Sequence, residues 1–167
     1  MHTAAILLAL FAHFDFAMTL VEPEMREILT DVSARGTRTT DDMEVAVFIV
    51  RTPNGHLSCL LWPHTASIRS AHYDGPIPRG TIALAHTHPI YAEKPSRGDV
   101  EQAKRIGLPS YVVTRWHTYV VDPATGRSVE VIRAKNWTRS NPSCGCRALQ
   151  SEDVSMAVRS TGAADQR

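Results

Sequence analysis

Thr81-Ile82-Ala83-Leu84-Ala85-His86-Thr87-His88-Pro89, followed after a short loop by Ser96-Arg97-Gly98-Asp99, is the stretch on which the reading of this chain turns. Its first five residues are an apolar run after the turn-rich Asp74-Gly75-Pro76-Ile77-Pro78-Arg79-Gly80, and they predict a buried strand that delivers His86 at its end, with Pro89 stopping the strand. Two histidines one residue apart point to the same side of an extended segment, so both rings can reach one ion. Serine with an acid three residues on is a helix-start signature, and Gly107 and Pro109 end the helix that Ser96 opens. Asp99 then falls in the first helical turn, where the dipole favours its charged form. Catalytic zinc sites typically use three protein ligands and leave a fourth position open, whereas structural sites are closed by four, usually with cysteine. His86, His88 and Asp99, with no cysteine nearby, therefore favour a hydrolytic centre over a structural clip.

At His86-x-His88-Pro89, a loop, and Ser96-x-x-Asp99, the sequence resembles the JAMM motif of the JAB/MPN metalloenzymes, spacing included. The resemblance implies one zinc per chain held by His86, His88 and Asp99, with Ser96 as the oxyanion-stabilising hydroxyl. It also implies a glutamate from an upstream strand that takes a proton from the attacking water. Glu44 fills that place. It opens Glu44-Val45-Ala46-Val47-Phe48-Ile49-Val50, a run typical of a central strand, and a carboxylate at the mouth of such a strand is costly unless something there uses it. Family members usually carry a glycine shortly after this glutamate; Val45, Ala46 and Val47 stand there instead. Two alternatives stay open: Asp41, Asp42 and Glu44 as a solvated acidic loop, and Glu93, within Ala92-Glu93-Lys94-Pro95, as a substitute base.

The implied fold is α/β (α+β): a three-layer JAB/MPN arrangement of the cytidine-deaminase-like kind, a mixed β-sheet flanked by helices, covering residues 20–135. The implied activity is that of a zinc metallopeptidase or isopeptidase, cleaving an amide or isopeptide bond of a protein or peptide substrate, ubiquitin-like proteins included, without a covalent intermediate. Two other functions are weighed beside it. One is an exported JAB-like toxin or cell-wall or peptide hydrolase. The other is a non-catalytic MPN binding scaffold, a class that generally lacks the ligands present here.

The rest of the chain is read from composition and period. A length of 167 residues fits one domain, and a net charge of +1 offers no field for nucleic acid. A helix is expected over Pro23–Ser33, with Gly36 beyond its end, and Glu22, Glu24 and Glu27 are assigned to this surface helix. Val45–Val50 and Leu57–Leu61 flank Thr52-Pro53-Asn54-Gly55, a hairpin turn, and Tyr111–Thr114, Tyr119–Val121 and Val129–Ile132 surround a second turn at Asp122–Gly126. The apolar run Ala4–Ala12 is too short to span a bilayer. It reads as a signal-peptide core within residues 1–19, the favoured reading and one that would place the protein outside the cytoplasm, or as a buried first element. The metalloprotease domain is assigned to 20–137 and a disordered tail to 138–167.

Cys59 lies inside an apolar strand and is expected as a packed core residue. Cys144-Gly145-Cys146 allows a vicinal-type disulfide, a second metal contact or two idle thiols, the last being the simplest. His56, His64, His72 and His117 are expected as packing or surface residues, with His72 and Tyr73 as alternative groove linings.

Overall fold

The computed structural model describes residues 23–38, 44–63, 73–88, 92–133 and 145–158. Helix α1 (Pro23–Arg38) is followed by strands β1 (Ala46–Arg51), β2 (Leu57–Leu61) and β3 (Thr81–Thr87), helix α2 (Arg97–Ile106), strands β4 (Ser110–Val113), β5 (His117–Val121), β6 (Ser128–Arg133) and β7 (Arg147–Ala148), and helix α3 (Ser151–Val158). The strands form a mixed seven-stranded sheet in the order β6-β5-β4-β3-β1-β2-β7. The expectation of a mixed sheet with helices holds at this level.

Tight turns explain two of the antiparallel pairs, β1–β2 and β5–β6. Thr52 N–H donates to the His56 carbonyl at 2.9 Å across the first hairpin, with Gly55 at φ 89°, a left-handed angle that costs glycine little. Asp122 receives Gly126 N–H at 2.7 Å in the second. By contrast β3 and β4 run parallel, and parallel neighbours require a crossover. Helix α2 is that crossover, so the C-terminal end of β3 and the first turn of α2 are joined by a short loop and meet at one end of the sheet.

Alternation along the strands divides the core into two faces. Val47, Ile49, Ala83, Ala85, Tyr111 and Val113 face Met25, Ile28, Leu29 and Val32 of α1. Those four helix residues repeat at i, i+3, i+4 and i+7 and are completely buried. Each contributes roughly 1.5–3 kcal/mol by leaving water. Phe48, Val50, Leu60 and Leu84 face the other side, where Ile106 of α2 and the aromatic rings of Trp62 and Tyr73 cover them. His86 is two residues beyond Leu84, which puts it on the α2 face. Among the described residues no helix is long and apolar enough to cross a membrane.

Three expectations are corrected, one of them the idle thiol expected at Cys146, which is instead disulfide-bonded to Cys59. Helix α1 runs to Arg38, past the expected stop at Ser33, and Gly36 lies inside it rather than beyond it. A Cβ on Gly36 would stand 2.6 Å from Thr87 Cγ2, so the glycine marks close approach of the helix to the end of β3 and not a helix cap. The tail assigned to 138–167 is also wrong for its middle part. Arg147 and Ala148 pair in parallel with Leu60 and Leu61, Cys146 is disulfide-bonded to Cys59, and α3 follows. This segment lacks hydrophobic period because it is held by a cross-link and an edge ladder rather than by an apolar stripe. Residues 1–22, Asp41, Asp42, His64, His72 and Cys144 lie outside the described residues.

The Gly36 contact yields a test with opposing terms. Gly36→Ala gains about 1 kcal/mol of helix propensity but forces the backbone away from Thr87, an overpacking cost of about 1–3 kcal/mol. We expect a net loss in chemical denaturation; a stabilised variant would show that the close approach does not matter.

Candidate metal centre

His86 and His88 emerge at the end of β3 on the same side, and Asp99 enters from the first turn of α2. The Nε2 of His86 stands 3.0 Å from Asp99 Oδ1, and the Nε2 of His88 stands 3.2 Å from Asp99 Oδ2. One ligand atom from each of the three residues lies within 4.8 Å of the other two. This convergence of two imidazole nitrogens and a carboxylate is the donor set that zinc accepts, and it is almost fully withdrawn from solvent, with His86 6% and Asp99 9% exposed. The three residues could hold one metal ion.

Helix α2 is built around this carboxylate. Ser96 is its N-cap: Asp99 N–H donates to Ser96 Oγ at 3.3 Å, and Ser96 N–H donates to Asp99 Oδ2 at 2.5 Å. The reciprocal pair is a capping box with aspartate in the glutamate position. The same bond that starts the helix therefore orients the Asp99 carboxylate. Gly107 closes the helix in the left-handed conformation, with its N–H bonded to the Ala103 carbonyl at 2.8 Å.

Electrostatics follow from burial and pairing. Burial pushes the Asp99 carboxyl up, but the bonds from His86 and His88, with the Ser96 N–H, outweigh it and hold the group well below the ordinary carboxylate range. Burial opposes charge on His88, yet the Asp99 hydrogen bond and the charges of Asp99 and Glu44 hold its pKa above that of a free imidazole. The backbone of Ala92 adds to this, although His88 Nδ1 is buried without a well-formed hydrogen bond.

Glu44 lies two residues before β1, half-buried. Ala46 pairs with His86, Thr87 N–H donates to the Val45 carbonyl at 2.9 Å, and Val45 N–H donates to Thr87 Oγ1 at 2.9 Å. Glu44 is thus two residues before the β1 partner of His86, with the side-chain parity of the face that carries the triad. Its negative charge acts on His88, whereas the charge of Glu93 acts on Tyr119 of β5.

Thr87 was a mere spacer in the sequence pattern, yet its hydroxyl fastens the Glu44 segment and its methyl meets Gly36. Only the glycine inside a helix could have signalled it. Elsewhere His56 pairs with Glu24 at 2.6 Å and His117 with Glu130 at 3.0 Å, in keeping with packing and surface roles. Tyr73 packs edge-on against Phe48, with ring centroids 5.0 Å apart. No protein-family model, curated protein or solved structure matches this chain.

The pairings set opposite pH slopes with and without metal. In metal-free protein the raised His88 pKa stabilises the fold fully below about pH 6.5, and the contribution fades as pH rises through the folded value. The lowered Asp99 pKa stabilises above about pH 4 and is lost in acid. Bound metal requires neutral imidazoles, so its contribution grows as pH rises. Melting temperatures from about pH 5 to 8 should fall without zinc and rise with it; parallel slopes would contradict the assignment of His88 to both roles.

Proposed function

We propose that this protein is a zinc-dependent hydrolase that cleaves an amide or isopeptide bond in a protein or peptide, in the manner of the JAMM enzymes its motif resembles, on a JAB/MPN-type three-layer fold. The observation that carries the reading is the meeting of His86, His88 and Asp99 where β3 ends and α2 begins, with Glu44 two residues before Ala46, the β1 partner of His86. A zinc ion bound by the three would supply Lewis acidity that makes water a nucleophile near neutral pH.

The chain's own residues do the rest. Glu44 takes a proton at its carboxylate and returns it to the leaving amine, a task suited to a half-buried group that is not itself a ligand. Ser96 Oγ uses a lone pair for the Asp99 N–H, which leaves its own proton to donate to the carbonyl oxygen as charge develops there. Asp99 is fixed by Ser96 N–H, so ligand and oxyanion donor are positioned by one helix turn. Among the alternatives, the Cys59–Cys146 disulfide favours an exported peptidase acting on peptide or cell-wall substrates over an intracellular isopeptidase, because such bonds persist in oxidising compartments.

Zinc content and turnover on isopeptide-linked and linear peptide substrates test the proposal. His86→Ala and His88→Ala should each lose the zinc. Glu44→Gln should keep zinc and lose about 10²–10⁴-fold in turnover. Ser96→Ala should keep zinc, lose about 1 kcal/mol of stability as a cap, and lose about 10²–10³-fold in turnover. Glu93→Gln should be nearly silent. Full activity in Glu44→Gln would reassign the base, and full zinc in both histidine variants would remove the centre.

A further inference from the structure

Among the described residues, the C-terminal segment is attached to the body of the fold by a short strand ladder, by hydrogen bonds to α1 and β2, and by one covalent bond. Cys59, in the middle of β2, is completely buried under α1, and its sulfur is bonded to Cys146, 87 residues away in sequence. Helix α1 holds the incoming chain in place for that bond. Cys146 N–H donates to Asp31 Oδ2 at 2.8 Å, Arg35 Nη2 donates to the Cys146 carbonyl at 3.0 Å, and Arg35 Nε donates to the same Asp31 oxygen at 2.9 Å. Asp31, itself 7% exposed, is thereby paired with Arg35 and hydrogen-bonded.

From this anchor the segment crosses the edge of β2. Arg147 and Ala148 form a two-residue ladder, Leu149 N–H reaches the Leu61 carbonyl at 3.1 Å, and the Leu149 side chain joins Phe48 and Trp62 on the opposite face. Helix α3 follows, opened by Asp153, which accepts Gln150 N–H at 2.9 Å and pairs with Arg147. A ladder of this length and a helix of 8 residues do not hold themselves together in water.

We propose that the Cys59–Cys146 disulfide is a redox latch: closed, it makes residues 145–158 the last strand and helix of the fold; opened by a thiol reductant, it frees them and uncovers the β2 edge with the Phe48–Trp62 wall. Opening breaks the S–S bond with two electrons and two protons. Each cysteine sulfur becomes a thiol, and two reductant thiols become a disulfide. Both half-cystines are buried, so the reductant must wait for the segment to fray, and the latch stays shut in an oxidising compartment. The triad should survive opening, because His86 is two strands from β2 and Asp99 comes from α2. The inference therefore stands independently of the hydrolase reading.

Thiol counting, peptide mapping and hydrogen exchange on the full chain test it. Protein never exposed to reductant should alkylate at one of its three cysteines, Cys144, and at all three after treatment with excess dithiothreitol. On reduction, exchange across 145–158 and at the β2 edge should accelerate on the order of thirtyfold or more, the scale expected from losing a long-range cross-link, while β3 and β4 keep their protection. Cys146→Ser should reproduce the effect without reductant. If that variant fails to fold, the reductant titration of the unaltered chain gives the same readout. Three reactive thiols in untreated protein, a bond from Cys144 to either partner, or unchanged exchange after verified reduction would each overturn the latch.

Discussion

A single carboxylate, Asp99, ties the candidate metal centre of this molecule together. It is buried, and an isolated buried carboxylate would be expelled or neutralised. It remains ionised because two imidazoles and a backbone N–H converge on its oxygens at 3.0, 3.2 and 2.5 Å. Those partners come from the end of one strand and the start of one helix, so the charge can be satisfied only if β3, α2 and the loop between them are all in place. Such an arrangement is costly as a purely structural device, because apolar residues of similar volume usually serve stability as well or better. Its cost is intelligible if the donors are arranged to receive a cation.

Sheet register does the rest of the assembly. One residue of slip between β1 and β3 would turn Glu44 to the α1 face and separate it from His88. Thr87 guards against that slip, since its backbone and hydroxyl both bond Val45 while its side chain fills the space left by Gly36. Helix α1 therefore contributes to the site without supplying a ligand. Its packing on β3 reaches Thr87, and Thr87 holds the glutamate segment in phase.

Most of the fold was legible because its signals are local. The apolar run at Thr81–Ala85, the capping pair Ser96 and Asp99, the Gly107 stop, and the Asn-Gly and Thr-Gly turns each encode an element boundary through steric or hydrogen-bonding rules acting over a few residues. The triad was legible for the same reason, lying within one strand–loop–helix unit. What escaped depends on distant partners. Gly36 looked like a helix stop because its true constraint, the Thr87 side chain, is far along the chain. The segment 145–158 looked like a tail because its attachment to Cys59, Asp31 and Arg35 leaves no period in its own sequence. Cysteine spacing alone could not choose Cys146 over Cys144 as the partner of Cys59.

The most direct test of the account is the structure of the zinc-loaded protein, with the ion located by anomalous scattering at the zinc edge. The account predicts one ion about 2.0–2.1 Å from the Nε2 atoms of His86 and His88 and about 2.0–2.2 Å from an Asp99 oxygen, with a fourth position open toward Glu44. An ion bound elsewhere, or Asp99 still bonded directly to both imidazoles in saturating zinc, would contradict it.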